Sequence, residues 1–156
     1  GRGFRQILDG MNAERCLTAS EAIGNGQYFT KRAVAYANER VVFGRPVGQN
    51  QGIQFPIAEA FAQLEAADLM VRKATALFDA GEDCGAEANM ARLLSAQAAW
   101  NMGEACFSTF GGFAFAREYD IERKWREARL ARTAPISPNL ILSYIAQHVL
   151  GMPRSY

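Results

Sequence analysis

The stretch Glu39-Arg40-Val41-Val42-Phe43-Gly44-Arg45-Pro46-Val47-Gly48-Gln49-Asn50-Gln51 ends one long helical pattern and opens another. Gly44 and Pro46 cannot comfortably continue a helix, so the spacing predicts a turn between two long helices. Arg40 falls in the last turn of the first helix, where the helix dipole favours a cation, and Phe43 offers an aromatic face three residues later. An arginine, an aromatic ring and free backbone amides in a glycine-rich turn can hold a phosphate and a flat ring. The same residues also read as a C-capped helix with a buried Phe43, and local spacing leaves both readings open.

Outward from that turn, residues 12 to about 38 repeat apolar or small side chains at Cys16, Ala19, Ile23, Gly26, Thr30, Ala33 and Ala37, a helix face that admits a close neighbour. Asn12 is a good N-cap, so this helix is expected to start near residue 12, after a short lead containing Phe4, Ile7 and Leu8. Downstream, Ile53, Ile57, Phe61, Leu64, Val71, Ala74 and Phe78 mark a second helix, with Pro56 in its first turn, where a missing N–H does little harm. A third, from about Ala86 to Phe110, is apolar most of the way round, as befits an element packed on several sides. Gly111-Gly112 is expected to end it in the left-handed conformation. Arg117 to Arg132 is dense in both signs of charge and reads as a solvated helix with a thin buried stripe of Tyr119, Ile121, Trp125 and Leu130. Pro135 and Pro138 break it, and a last helix is expected from Asn139 to Leu150. No useful length alternates with period 2, so no sheet is expected. The pattern predicts an all-α chain: an antiparallel, up-and-down four-helix bundle with the 117–132 segment as a short extra helix across one end.

With 156 residues, 49% of them hydrophobic, the chain is one domain with a substantial core. Its 17 basic residues against 16 acidic ones give no electrostatic case for nucleic acid or a membrane surface. No apolar run nears the roughly 20 residues needed for membrane insertion. Cys16, Cys84 and Cys106 are odd in number and lack metal-ligand spacing, which suits reduced thiols in a cytoplasmic compartment. His148 is the single histidine, expected to be packed or solvent-facing, so no metal site is expected and proton chemistry falls to a carboxylate. The start at Gly1-Arg2-Gly3-Phe4, with no initiator methionine or signal peptide, reads as a piece of something longer.

The order Asn12-Ala13-Glu14-Arg15, then Arg40-Val41-Val42-Phe43-Gly44-Arg45-Pro46 with Gln51, then Gly111-Gly112, then a turn containing Ser137 before a final helix ending Leu150-Gly151, resembles the C-terminal domain of the acyl-CoA dehydrogenases over essentially the whole chain. The resemblance implies a single bundle domain over residues 1–156, preceded in the family by an N-terminal helical domain and a small β-domain absent here. It implies FAD as cofactor, bound between subunits. Arg40 would meet the pyrophosphate of a neighbour's FAD, Phe43 would pack beside the cofactor, and Gln51 would lie near the adenine half. Gly111 and Gly112 match paired glycines whose bare backbone lets a dinucleotide come close. Ser108 and Ala114 stand where the family often has Gln and Gly, so contacts there depart from the pattern.

Many members place the catalytic glutamate in a Tyr-Glu-Gly-Thr turn before the last helix; Pro135 occupies that position here, and proline can abstract no proton. Ser137 and Asn139 still resemble the Thr and Gln of that turn, which implies that its cofactor contacts survive. A minority of the family keeps the glutamate on the first bundle helix, directly before an arginine, and Glu14-Arg15 matches that arrangement. Glu14 is then the implied base, in apolar surroundings that would raise its pKa, with Arg15, otherwise a surface cation, lining the acyl pocket and Met11 at its edge. A first-turn acid stabilised by the helix dipole is the other reading of Glu14.

The family reading implies an oxidoreductase that dehydrogenates an acyl-CoA thioester between its α and β carbons in fatty acid or amino acid catabolism. It also implies a homo-oligomer, a dimer or dimer of dimers, and electron-transfer flavoprotein or a similar acceptor as partner. The isolated stretch is expected to be inactive and to bind FAD weakly. The vacancy at Pro135 leaves a second reading, a catalytically inactive relative whose bundle serves assembly or acyl-CoA binding. A third reading makes the bundle a self-associating interaction module.

Overall fold

The computed structural model describes residues 2–155, with the side chains of Arg5 and Asp9 left out of the description. Its helices are α1 (Gly3–Glu39), α2 (Gln51–Asp79), α3 (Gly85–Phe110), α4 (Ile121–Ala131) and α5 (Pro138–Tyr144). The expected all-α bundle forms. Phe29 packs on Gly103 and Tyr36 on Phe110, so α1 and α3 run parallel; Gly26 meets Leu64, and α2 returns between them in the opposite direction. Helix α4 covers the half of the bundle built by the last turns of α1 and α3, and α5 follows it towards the start of α3, where Tyr144 approaches Gly85. No helix among the described residues is long and apolar enough to cross a membrane.

The boundaries differ from the sequence reading for local reasons. Helix α1 begins at Gly3, not near Asn12, because Phe4, Ile7, Leu8 and Met11 already step by three and four residues. Asn12 caps nothing; its Oδ1 accepts a hydrogen bond from Arg15 at 2.8 Å, inside the helix. Helix α2 begins at Gln51, so Pro56 lies in its second turn and removes the hydrogen bond to the Gly52 carbonyl, which is tolerable because Gly52 is exposed to water. Asp120 adopts the left-handed conformation at φ 60° and its carboxylate holds Arg123 at 2.6 Å, so α4 starts at Ile121 rather than Arg117. Its buried residues are Ile121 and Ala128, with Trp125 partly buried beside them, while Leu130 is exposed. Ser137 caps α5 by accepting from the Leu140 N–H, and Pro138 occupies the first helical position, where its ring is already in helical conformation. From Ile145 to Val149 the last helix widens into a π turn, which carries His148 exposed to solvent with its ring 5.0 Å from that of Tyr144.

Two apolar clusters hold the bundle. One gathers Phe29, Ile57, Met102, Cys106, Phe110 and Ile121; the other gathers Cys16, Ile23, Leu64, Val71 and several alanines. The stripe on α2 is Ile57, Ala60, Leu64, Ala67, Val71 and Ala74, and Phe61 and Phe78, expected inside, are exposed. All three cysteines are unpaired and buried, and burial pushes the Cys106 thiol up to about 12. Leu64 is 1% exposed, and a Cβ added at Gly26 would stand 2.4 Å from its Cδ1, so α1 and α2 close on this leucine. Leu64→Ala should cost about 2–5 kcal/mol by urea denaturation, the range for truncating a tightly enclosed leucine. A loss below about 1 kcal/mol would show that the helices collapse into the gap.

Candidate functional site

Arg40 is the residue just past α1, extended rather than helical at φ −73° and ψ 112°. Its N–H still donates to the Tyr36 carbonyl at 2.8 Å, and its own carbonyl accepts from the Val47 N–H at 2.8 Å. Between these anchors the chain forms a two-stranded antiparallel ribbon, β1 (Val41–Val42) with β2 (Arg45–Pro46), where no sheet was expected. Phe43 and Gly44 form its two-residue turn at φ 53° and 79°, the double left-handed geometry that matches the twist of paired strands. Glycine takes this conformation freely, but phenylalanine does not. Phe43 is fully exposed at the tip, which excludes the capped helix with a buried ring. Phe43→Asn should raise the stability of this chain by about 1 kcal/mol in thermal denaturation, since asparagine tolerates the left-handed region and no buried contact is lost. An unchanged melting temperature would mean that the turn relieves its strain elsewhere.

Parallel packing of α1 and α3 brings their ends together. Tyr36 stacks on Phe110 with centroids 4.0 Å apart, and Tyr119 meets both rings edge-on. Beyond α3, Gly111 takes φ 58° and ψ −133°, a region open to glycine but not the left-handed helix conformation expected for a cap. The chain turns there, so that Arg40 from α1 and Gly111-Gly112 line one cleft of about 540 Å³ with Tyr36, Thr109 and Phe113. The Arg40 guanidinium is exposed, lies 5.4 Å from the Phe113 ring centre, and pairs with no carboxylate among the described residues. Nothing lies within 4 Å of a Cβ added at Gly111 or Gly112, so bare backbone faces open space. Phe43 and Gln51 are exposed outside this lining.

The remaining expected residues sit in the other half of the bundle. Glu14 is exposed on α1, the twelfth residue of the helix, with Met11 half-buried one turn before it. Arg15 is not a surface cation: it is 6% exposed, donates to Asn12 and leaves its Nε unpartnered. Burial lowers the pKa of its guanidinium, opposed by Tyr144 and Glu14 nearby. Ser137 and Asn139 begin α5, after the turn whose Ala134 carbonyl accepts from Arg92 of α3. Gly111, just past the end of α3, lies nineteen residues after Arg92, about 28 Å at the helical rise, so the two groups of expected residues do not meet within one chain.

Residues 1–149 match the acyl-CoA dehydrogenase C-terminal domain. This chain belongs to that family. An acyl-CoA dehydrogenase of Mycobacterium tuberculosis, FadE12, is 40% identical over 153 residues, covering 97% of this chain and 39% of its own length. The butyryl-CoA dehydrogenase of Megasphaera elsdenii superposes with a TM-score of 0.92 at 27% identity, over 96% of this chain and 39% of that one. A glutaryl-coenzyme A dehydrogenase superposes equally well, at 0.92 and 29% identity, over 99% of this chain and 40% of the other. The chain thus spans about two fifths of the relatives it matches.

The acyl-CoA dehydrogenase family is FAD-dependent, and the cleft suits such a group: an unpaired guanidinium for phosphate, an aromatic floor, and bare glycine backbone beside open volume. Sequence reasoning missed Tyr36, Thr109 and Phe113 in this acyl-CoA dehydrogenase domain. Tyr36 lies one helical turn before Arg40, and Phe113 directly follows the paired glycines, but only the register of α1 on α3 brings them together.

Proposed function

We propose that this chain is the C-terminal helical domain of an FAD-dependent enzyme that dehydrogenates an acyl-CoA thioester between its α and β carbons. The observation that carries this reading is the single cleft shared by Arg40 and Gly111-Gly112, residues from two helix ends. Arg40 would hold the pyrophosphate, Gly111 and Gly112 would admit the dinucleotide, and Phe43 and Gln51 would reach the same cofactor from the ribbon and the start of α2. Ser137 and Asn139 would contact a second cofactor at the far half of the bundle. About 28 Å of α3 between the two groups supports a flavin shared between copies, and hence a homo-oligomer, a dimer or dimer of dimers. Bound FAD would accept the hydride that leaves the β-carbon of the substrate. Glu14 would remove the α-proton, with Met11 at the edge of the acyl site and Arg15 held beneath it between α1 and α5.

Electron-transfer flavoprotein or a similar carrier would take the electrons onward, and the buried, unpaired cysteines suit a reducing, cytoplasmic setting. Domains preceding this bundle would supply the remaining walls of the acyl and flavin sites. Pro135 favours one alternative, an inactive relative that keeps the bundle for assembly or acyl-CoA binding. Anaerobic addition of a panel of acyl-CoAs to the full-length, FAD-loaded protein separates the two. Bleaching of the flavin absorbance is expected; tight acyl-CoA binding with no bleaching by any member of the panel would establish the alternative.

A further inference from the structure

Arg92 lies on α3, is 2% exposed, and forms no ion pair among the described residues. Burying a guanidinium with no carboxylate in contact is costly, and only the charge of Glu21 on α1 acts on it at longer range, so its retention calls for a specific use. One terminal nitrogen, Nη2, donates to the carbonyls of both Ala131 and Ala134. Ala131 is the last residue of α4, where unpaired carbonyls and the helix dipole present partial negative charge, so the helix end takes the place of a counterion. Ala134 begins the turn that contains Pro135 and ends at the Ser137 cap of α5. One side chain therefore ties the central helix to the end of α4 and to the start of that turn. An apolar residue of similar size could fill the space but could not hold either carbonyl.

We propose that Arg92 is a positioning residue that fixes the α4–α5 turn, and with it Ser137 and Asn139, against the flavin site. This rests on the cofactor role proposed above for that turn. The test uses the full-length protein with Arg92→Met, Arg92→Lys, Ser137→Ala and the Arg92→Met/Ser137→Ala pair, read by amide hydrogen exchange and by FAD affinity.

Arg92→Met should speed exchange across residues 133–140 while the Leu64–Val71 segment of α2 exchanges as in the parent. It should also weaken FAD binding, and the pair should deviate from additivity with Ser137→Ala by at least about twofold, as expected for residues acting through one element. Arg92→Lys keeps a cation at the end of α4 without the planar fork and should fall between parent and Arg92→Met in both readouts. If Arg92→Met does not fold, the lysine variant carries the same comparison. Exchange that rises equally in α2, or FAD losses that simply add, would reduce Arg92 to a stabilising residue and overturn the proposal. If Ser137→Ala leaves FAD affinity unchanged, the cofactor reading of the turn fails and takes this proposal with it. A response to Ser137→Ala with none to Arg92→Met would overturn the role of Arg92 alone.

Discussion

Replacing Glu14 with glutamine in the full-length protein should leave FAD and acyl-CoA binding nearly intact and slow flavin reduction by about 10²–10⁴-fold, the usual cost of losing a general base. The amide preserves shape and removes only the ability to take a proton. Glu14 is exposed and makes no hydrogen bond through its carboxylate among the described residues, so the group is not committed to holding the bundle together. Nor is it a dipole-stabilising acid of the first turn, because α1 begins at Gly3 and the dipole acts within the terminal turn. The substitution should therefore leave the melting temperature unchanged, and Glu14→Asp should retain more activity than Glu14→Gln. Glu127 is a poor substitute for the role: hydrogen bonds and charge from Lys124 and Arg123 hold its carboxyl below the usual range, and it lies on the solvated face of α4. Stopped-flow reduction at parental rates in Glu14→Gln would remove it as the base and move the search to residues outside this chain.

Arg40→Met should weaken FAD binding roughly ten- to a hundredfold, the equivalent of losing a charge-assisted hydrogen bond worth about 1.5–3 kcal/mol. Stability should hardly change, because the side chain is exposed and its contact with Phe113 is worth about 0.5–1 kcal/mol at most. Arg40→Lys keeps the charge without the planar fork and should fall between the two. Equilibrium titration of the apoprotein with FAD measures the effect. Equal affinities in parent and Arg40→Met would detach the cleft from the cofactor, whatever the outcome at Glu14.

The amino-acid sequence by itself determined the helix content, the turn after Arg40, the apolar character of α3 and the likeness to the acyl-CoA dehydrogenase domain. These follow from period, from Gly and Pro, and from motif order, all of which are local. The ribbon around Phe43 escaped it because two-residue strands leave no alternation to read, and the start of α1 escaped because a cap-forming Asn12 stood inside a helix whose stripe had already begun. Only tertiary structure decided which side chains share a space. The parallel register of α1 on α3 sets Tyr36 and Arg40 beside Phe110 and Gly111, residues more than seventy positions apart that no spacing rule connects. The same packing turns Arg15 inward and Phe61 outward, since a helix face is defined only by the neighbour that covers it. No motif singles out Arg92, and only the packing of α4 brings carbonyl oxygens onto it.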